Sequence, residues 1–320
     1  MSSQQRATAD VSIEQLREED LGAADHIFRL AFGTFISLPD PTQFAAGADF
    51  ITTRWKTDPT AFFAAKFDGQ LIGTNFATNR GTVGFFGPLT IHPDYWDRGV
   101  GKRLMEPIIK TFSKWGTTHD GLFTFAQSQK HLGLYQRFGF WPRFLTAIMS
   151  LPVNPNGQRS LSLFSELSAN ERQEALIACA DLTNEIYPGM NAESELLGVY
   201  DQKLGDTVLL WDNSKLKALA VCHCGEGSEA GPGGCHVKFG AVRPDENAGE
   251  NFSRLLAACE ALAAARGLTK LYAGVNTARS EAYRQMLKRG FKTEMQGVAM
   301  HRPNEAGYSR PGVYVIDDWR

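Results

Sequence analysis

The chain has 320 residues, of which 43% are hydrophobic and 21% charged, a mixture typical of globular proteins that bury a core. Its length is about twice that of a usual single domain, so two domains are expected. Lys and Arg total 33 against 35 for Asp and Glu. This near balance gives no bulk field for binding nucleic acid or an anionic membrane, and neither is expected as a partner. The segment MSSQQRATADVS lacks the apolar stretch of a signal sequence, so a cytoplasmic location is expected.

In chain order, VSIEQL is predicted as a strand, and EEDLGAADHIFRLAF and PTQFAAGADFITTRW as helices, from their apolar spacing. Three strands are predicted next, AFFAAKFDG, LIGTNFATN and GFFGPLTIHP. The turn signals between them favour antiparallel hairpins. A helix at 100–115, a strand at 121–126, a helix at 129–138 and a strand at 140–152 complete this half.

The second half repeats this pattern, with helices near 168–186 and 192–204 and strands TVLLWD, LKALAVCHC and CHVKFGAV. Residues 92–116 align without a gap on residues 243–267, and the same offset carries Gly139-Phe140 onto Gly290-Phe291. The segment PVNPNGQRS has the composition of a linker. We therefore predict a first domain at 1–152, a linker at 153–160, a second domain at 161–302 and a tail at 303–320. In the tail, GVYVID has strand propensity and is expected to pair with an open sheet edge.

The cysteines are sparse, odd in number and confined to the second half, which favours a reducing compartment over a disulfide framework. The cluster of Cys222, His223, Cys224, Cys235 and His236 raises the alternative of a metal site, because thiolate and imidazole are the usual zinc ligands. An alternating strand would point Cys222 and Cys224 to one face and His223 to the other. We favour core cysteines and expect no metal.

The loop before the helix at 100–115 is the strongest candidate for a binding site. A strand, a glycine-rich turn and a helix N-terminus together suit a phosphate or pyrophosphate, because the helix begins with free N–H groups. Gly99 and Gly101 allow a close approach of the backbone. Arg98, Lys102 and Arg103 add positive charge at the same end.

With this order of elements, the sequence resembles the GNAT acetyltransferase superfamily, whose coenzyme loop reads (Gln/Arg)-x-x-Gly-x-(Gly/Ala). The matching residues are Trp96, Asp97, Arg98, Gly99, Val100 and Gly101, with Trp96 where Gln or Arg is usual. The resemblance covers 11–152 fully and 161–302 weakly, like tandem GNAT proteins of the mycothiol synthase kind. It implies an α/β (α+β) fold of two tandem GNAT units, each a mixed, mostly antiparallel sheet flanked by helices. It also implies acetyl-CoA as cosubstrate.

The same resemblance assigns further residues around the coenzyme. The main chain of Leu89, Thr90 and Ile91 falls where the family binds the pantetheine arm, as an open strand edge can bind an amide-bearing ligand. Tyr135, four residues before Gly139-Phe140, and Ser128, seven before Tyr135, match the positions of a general acid and a polar coenzyme contact. A phenol suits protonation of a departing thiolate.

The general base and the acceptor site are less defined. The predicted strand GFFGPLTIHP carries no Asp or Glu that could act as the general base. His92 at its end is available for that role, but a histidine in such a turn more often caps the turn or packs against it. Family resemblance places acceptor residues near the first two helices. There, Phe35, Phe44, Phe50 and Trp55 either line an apolar pocket or belong to the core.

The second copy has lost the loop chemistry. In the gap-free alignment Gly99 falls on Glu250 and Gly101 on Phe252, so an anion and a bulky ring stand where phosphate would approach. The position of Tyr135 falls on Met286, or on Tyr283 if the helix is one turn longer. We therefore expect no usual coenzyme site in the second half.

The leading hypothesis is an acetyl-CoA-dependent N-acetyltransferase that acts on a primary amine of a small molecule or peptide. The alternative is a catalytically silent acyl-CoA-binding sensor or scaffold. A dinucleotide-binding enzyme is disfavoured, because the loop lacks the third glycine and the preceding strands have antiparallel turn signals. Whether the chain is a monomer or a homodimer stays open.

Overall fold

The computed structural model describes residues 11–156 and 161–320. The first ten residues and the end of the predicted linker, 157–160, lie outside the described residues. Within the described residues, none of the helices has the length and apolar character needed to cross a membrane.

Helices and strands follow the predicted order in both halves. The first half contains β1 (Val11–Gln15), α1 (Leu21–Phe35), α2 (Ile51–Thr57), β2 (Phe62–Phe67), β3 (Gln70–Arg80), β4 (Val83–Phe86), β5 (Thr90–Ile91), α3 (Val100–Trp115), β6 (His119–Thr124), α4 (Gln129–Gln136) and β7 (Trp141–Pro152). The second half contains α5 (Ala169–Ile186), α6 (Glu193–Gln202), β8 (Gly205–Asp212), β9 (Lys215–Cys224), β10 (Gly234–Val242), α7 (Ala248–Ala265), β11 (Lys270–Asn276), α8 (Ser280–Arg289), β12 (Lys292–Arg302) and β13 (Val315–Ile316).

Two elements differ from prediction for local backbone reasons. The helix predicted over PTQFAAGADFITTRW begins only at Ile51, because Ala45 and Gly47 adopt positive φ angles of 51° and 78° that end a right-handed helix. The single strand predicted over GFFGPLTIHP is divided into β4 and β5. Gly87 has φ 130° and is followed by Pro88, which has no N–H to give to a ladder.

All the named strands belong to one mixed sheet. Its order is β1-β2-β3-β4-β6-β12-β7-β11-β10-β9-β8, with β5 on β3 and β13 on β10. The pairs β4–β6 and β10–β11 are parallel, whereas the other paired strands are antiparallel. The structure therefore confirms the predicted fold class, a mostly antiparallel mixed sheet flanked by helices in an α/β arrangement.

The last strand of each half is exchanged into the other half. β12 pairs with β6, while β7 pairs with β11, and the two exchanged strands also pair with each other. A boundary at residue 152 therefore divides the chain but not the sheet. Backbone hydrogen bonds run across the junction, so the halves are expected to unfold together.

Buried charges also join the halves. Arg54 of α2 binds both carboxylate oxygens of Glu229 at 2.7 Å, and Lys238 of β10 binds the same carboxylate at 2.7 Å. Burial raises the pKa of Glu229, but the two cations outweigh it and hold that pKa well below its ordinary value. These side chains line a cleft of about 80 Å³ between α2 and α6.

Candidate coenzyme and acyl-transfer site

The site begins where β4 and β6 separate. Val83–Phe85 pairs in parallel with His119–Gly121. Further along the chain, β5 pairs with β3 instead. The segment from Leu89 to Ile91 therefore forms one wall of a wedge, and the end of β6 forms the other. This geometry puts the three residues predicted for the pantetheine arm, Leu89, Thr90 and Ile91, at a strand edge that β6 does not cover.

Trp96 and Asp97 hold the loop in place. Trp96 donates its indole N–H to the main-chain oxygen of Ile91 at 2.8 Å, which ties the loop to β5. Asp97 has a positive φ of 62° and pairs with Lys130 at the start of α4, so the loop is also tied to that helix. Trp96 stands where the GNAT loop pattern has Gln or Arg, and it fixes the loop through a hydrogen bond from its side chain to the main chain.

The two glycines have separate physical roles. Gly99 caps α3 in the left-handed conformation, with φ 76°, which favours glycine. Gly101 is buried, and a Cβ added there would lie 3.2 Å from Ile91 Cδ1 and 3.4 Å from Leu134 Cδ2. A larger side chain at Gly101 would therefore press on the wedge itself.

The start of α3 is electropositive. Its N-cap residue, Gly99, has no side chain with which to cap the first N–H groups, and these donors lie at the positive end of the helix dipole. Val100 is buried, whereas Arg98 and Lys102 are exposed beside it and Arg103 is half-buried. The guanidinium carbon of Arg98 lies 5.1 Å from the ring centroid of Tyr95. These features suit a phosphate group.

Tyr135 lies on α4 behind the wedge. Its ring makes an edge contact with Phe86 at the end of β4, with centroids 5.6 Å apart. Burial raises the pKa of Tyr135, and a hydrogen bond with Thr124 at the end of β6 opposes that shift only in part. The phenol therefore stays protonated at neutral pH and retains a proton to donate.

Two predicted positions cap turns. Ser128 caps α4, its hydroxyl accepting the His131 N–H at 3.4 Å, and the assignment of Ser128 to the coenzyme stays a prediction. His92 caps the turn after β5, its Nδ1 accepting the Asp94 N–H at 3.3 Å. This is the capping role expected for an HPDY turn, and it engages the imidazole nitrogen nearest the main chain.

Comparisons with known proteins agree with this geometry. Residues 25–140 match the model of the acetyltransferase (GNAT) family. Residues 25–140 are therefore similar to a GNAT acetyltransferase domain, and the protein is an acyltransferase. No curated protein sequence matches the chain.

Solved structures extend the likeness of fold beyond residues 25–140. A proposed acetyltransferase from Pyrococcus horikoshii is 12% identical, with 97% of this chain and 95% of that chain covered at a TM-score of 0.68. A GCN5-related N-acetyltransferase from Sphaerobacter thermophilus is 15% identical, with 92% and 95% covered at a TM-score of 0.55. At these identities the likeness concerns the fold alone.

An aromatic cluster connects α1 with the end of β6 and with α4. Phe32 stacks on Phe44 with centroids 5.2 Å apart, and Phe35 packs on Phe125 at 4.8 Å. Phe125 directly follows the end of β6, and Phe35 also contacts His131 of α4 at 5.1 Å. The cluster therefore reaches from the first helix to the helix that carries the candidate acid.

The four aromatic residues predicted near the acceptor divide between two roles. Phe35 and Phe44 belong to the cluster and are half-buried. Phe50 contacts Phe28 at 5.5 Å, and Trp55 donates its indole N–H to Leu16 at 3.3 Å, so both pack α1 and α2 onto the sheet. Sequence reasoning missed His131 altogether, although its place one turn before Tyr135 was a readable signal.

In the second half, the tail fills the gap that corresponds to this wedge. β10 and β11 pair in parallel up to Val237 and then separate. The segment GVYVID forms β13 inside this gap rather than at an outer sheet edge. Val315–Ile316 pairs with β10, and the Asp317 N–H donates to the Gly274 oxygen of β11 at 2.9 Å.

Arg279 fixes the tail in that gap. It donates to the main-chain oxygens of Val315 at 2.6 Å and Asp317 at 3.0 Å. In the internal repeat Arg279 stands opposite Ser128 at the head of the equivalent helix. The protein therefore satisfies the open strand edge of its second half with its own main chain.

The cysteine cluster is packed in the core of the second half. Cys224 and Cys235 are directly opposed on β9 and β10 with their sulfurs 3.8 Å apart, and the sulfurs of Cys222 and Cys259 are 4.0 Å apart. Over residues 11–156 and 161–320, the His, Cys, Asp and Glu side chains form no group of three or more placed to hold a metal ion.

Proposed function

We propose that this protein is an acetyl-CoA-dependent N-acetyltransferase that transfers an acetyl group to a primary amine in the wedge between β5 and β6. The observation that carries the proposal is the meeting of three features at one place. These are an open strand edge, a glycine-rich helix N-terminus and a protonated tyrosine hydroxyl. We further propose a tandem architecture of two GNAT units, 1–152 and 161–302, like that of mycothiol synthase, with the coenzyme in the first unit only.

The coenzyme fits the wedge by chemistry that the chain supplies. The main-chain groups of Gly99, Val100 and Gly101, with the charges of Arg98 and Lys102, would bind the pyrophosphate. Leu89, Thr90 and Ile91 would bind the amide groups of the pantetheine arm as a strand binds another strand. Both contacts fix the thioester near Tyr135.

The reaction needs little covalent help, because a thioester is already activated. The neutral amine attacks the acetyl carbonyl, a C–N bond forms, and the C–S bond breaks as the thiolate leaves. Tyr135 donates its proton to that sulfur, and the tyrosinate is reprotonated from solvent. The amine nitrogen loses one proton in the same sequence, which balances the proton that the tyrosinate takes up, so the products from the neutral amine are the amide and CoA.

The acceptor is proposed to carry an apolar or aromatic body next to its amine. Phe32, Phe35 and Phe44 are half-buried, so each keeps part of its ring surface free for contact. Burial of that surface would provide roughly 25 cal/mol for each Å². A panel of phenethylamine, glucosamine, lysine methyl ester and spermidine tests this preference, with CoA release followed by chromatography.

Replacing Gly101 by glutamate tests the coenzyme site. The new carboxylate would face the phosphates, and its Cβ would contact Ile91, so acetyl-CoA affinity should fall at least about 30-fold from the loss of one or two charge-assisted contacts. Gly22→Glu is the matched control, because Gly22 is exposed on α1 with nothing within 4 Å of an added Cβ. Isothermal titration should give equal affinities for the control and the parent chain. Unchanged acetyl-CoA affinity in Gly101→Glu would show that this loop is not the coenzyme site.

The silent-sensor alternative has its own outcome. A sensor would bind acetyl-CoA at this loop yet release no CoA with any amine of the panel. Acetyl-CoA binding together with amine-dependent CoA release supports the enzyme.

A further inference from the structure

His131 lies between the candidate acid and the aromatic cluster. It is on α4, one turn before Tyr135, with the two ring centroids 6.4 Å apart. Its other side meets Phe35 of α1, with centroids 5.1 Å apart. Ser128, at the head of the same helix, is one turn earlier again. The His131 ring therefore lies between Tyr135 and the aromatic surface proposed to contact the acceptor.

The surroundings of His131 keep its imidazole neutral. The ring is half-buried against Phe35, and Phe125 also packs against Phe35. Burial, and next the positive charge of Lys130, lower the pKa of His131. The charge on Lys130 is balanced in part by its pairing with Asp97 of the coenzyme loop. Tyr135, the other titratable side chain whose ring lies near that of His131, is uncharged.

Two other candidates for the base, a carboxylate between Val83 and Ile91 and the imidazole of His92, are less favourable. The segment from Val83 to Ile91 contains no Asp or Glu. The Nδ1 atom of His92 accepts a main-chain N–H in its turn and lies 3.8 Å from a carboxylate oxygen of Asp94. An amine that arrives as an ammonium ion must lose a proton before it can attack, so an acetyltransferase needs an acceptor for that proton.

We propose that His131 is the general base of the acetyl transfer, an inference that rests on the function proposed above. A ring nitrogen of His131 takes one proton from the ammonium group of the acceptor. The neutral amine then forms the C–N bond as the C–S bond breaks, and Tyr135 protonates the sulfur. The nitrogen loses its second proton to the tyrosinate as the amide forms, and the imidazolium returns its own proton to solvent through its exposed side, so a single proton is released for each acetyl group transferred.

The test is the pH dependence of kcat at saturating concentrations of acetyl-CoA and the most active amine of the panel. Because kcat reports groups in the bound complex, ionisation of the free amine does not affect it. The parent chain should give an acid limb with a midpoint below about 6.5, the ordinary value for histidine. His131→Asn and His131→Gln should lose that limb and lower kcat at pH 7 by about 100-fold, the lower range for general-base catalysis.

Controls separate a base from a residue that supports the fold. Acetyl-CoA affinity should stay within about twofold in both variants, because His131 is not part of the proposed coenzyme loop. His26→Asn, an exposed histidine on α1, should leave kcat and its pH profile unchanged. For His131→Ala, added imidazole should restore kcat in proportion to the concentration of its neutral form, which a structural role would not produce.

Two results would overturn the inference, and they are distinguishable. An intact acid limb in His131→Asn, with normal turnover by the parent chain, rejects His131 alone and leaves the acetyltransferase in place. No amine-dependent CoA release by the parent chain at any pH rejects the proposed function, and with it the need for a base.

Discussion

Replacing Arg80 by methionine should strongly destabilise the whole protein. Arg80 is fully buried and donates two hydrogen bonds to Glu195, at 2.7 and 2.9 Å, and one to Asp317 at 2.7 Å. Its guanidinium also lies 4.6 Å from the Phe85 centroid and 4.5 Å from that of Phe239. One side chain of β3 thus connects the first half to α6 and to the tail.

The magnitude follows from what the substitution leaves behind. Methionine would fill much of the volume but would leave Glu195 and Asp317 buried without their cation. Removing one partner of a buried ion pair costs about 3–5 kcal/mol, because the remaining charge is uncompensated. For a chain of this size, that loss should lower Tm on the order of 10 °C.

Calorimetry and urea unfolding measure this loss. Arg17→Met is the control, because the Arg17 side chain is 63% exposed and pairs with Glu19 at the surface, and it should change stability by less than about 0.5 kcal/mol. Adding Asp317→Leu to Arg80→Met should recover part of the loss. A loss below about 1 kcal/mol in Arg80→Met would refute the claim that this buried ion pair holds the halves together.

The remaining predictions concern catalysis, stoichiometry, pH and the tail. Tyr135→Phe should lower kcat about 100-fold or more while acetyl-CoA affinity by titration stays within threefold, whereas equal kcat would reject the acid. Calorimetric titration should give one acetyl-CoA per chain, and two would contradict the filled second gap. Burial, then the Arg143 charge, lower the pKa of His119 to about 4, so its neutral form is favoured by folding. The free energy of unfolding should therefore have its full value above about pH 6.5 and be about 2 kcal/mol lower at pH 5. Urea unfolding of His119→Gln should not show this loss. Ile316→Ala should cost about 2–4 kcal/mol in the same assay, because Ile316 is fully buried in the gap.

Much of the candidate site was predictable because its signals are local. Gly99 and Gly101 predict a close approach at a helix N-terminus from their positions in sequence alone, and α3 begins at Val100 as expected. The capping of a turn by His92 also depends on neighbouring residues only. Trp96 shows the limit of the motif, since its bond to Ile91 depends on the path of the chain after β5.

The sequence by itself determined the repeat, the order of helices and strands, and the loss of the glycines in the second copy. The order of helices and strands depends on apolar spacing, turn residues and capping, which act over a few positions. The repeat and the lost glycines follow from aligning the two halves. Tertiary structure decided the exchange of β7 and β12, the tail strand between β10 and β11, and the approach of His131 to Phe35. Arg80 and Asp317 are 237 positions apart, so no local pattern reveals their contact. Such pairings form only when the whole sheet closes, since their energy comes from burial that the isolated segments do not provide.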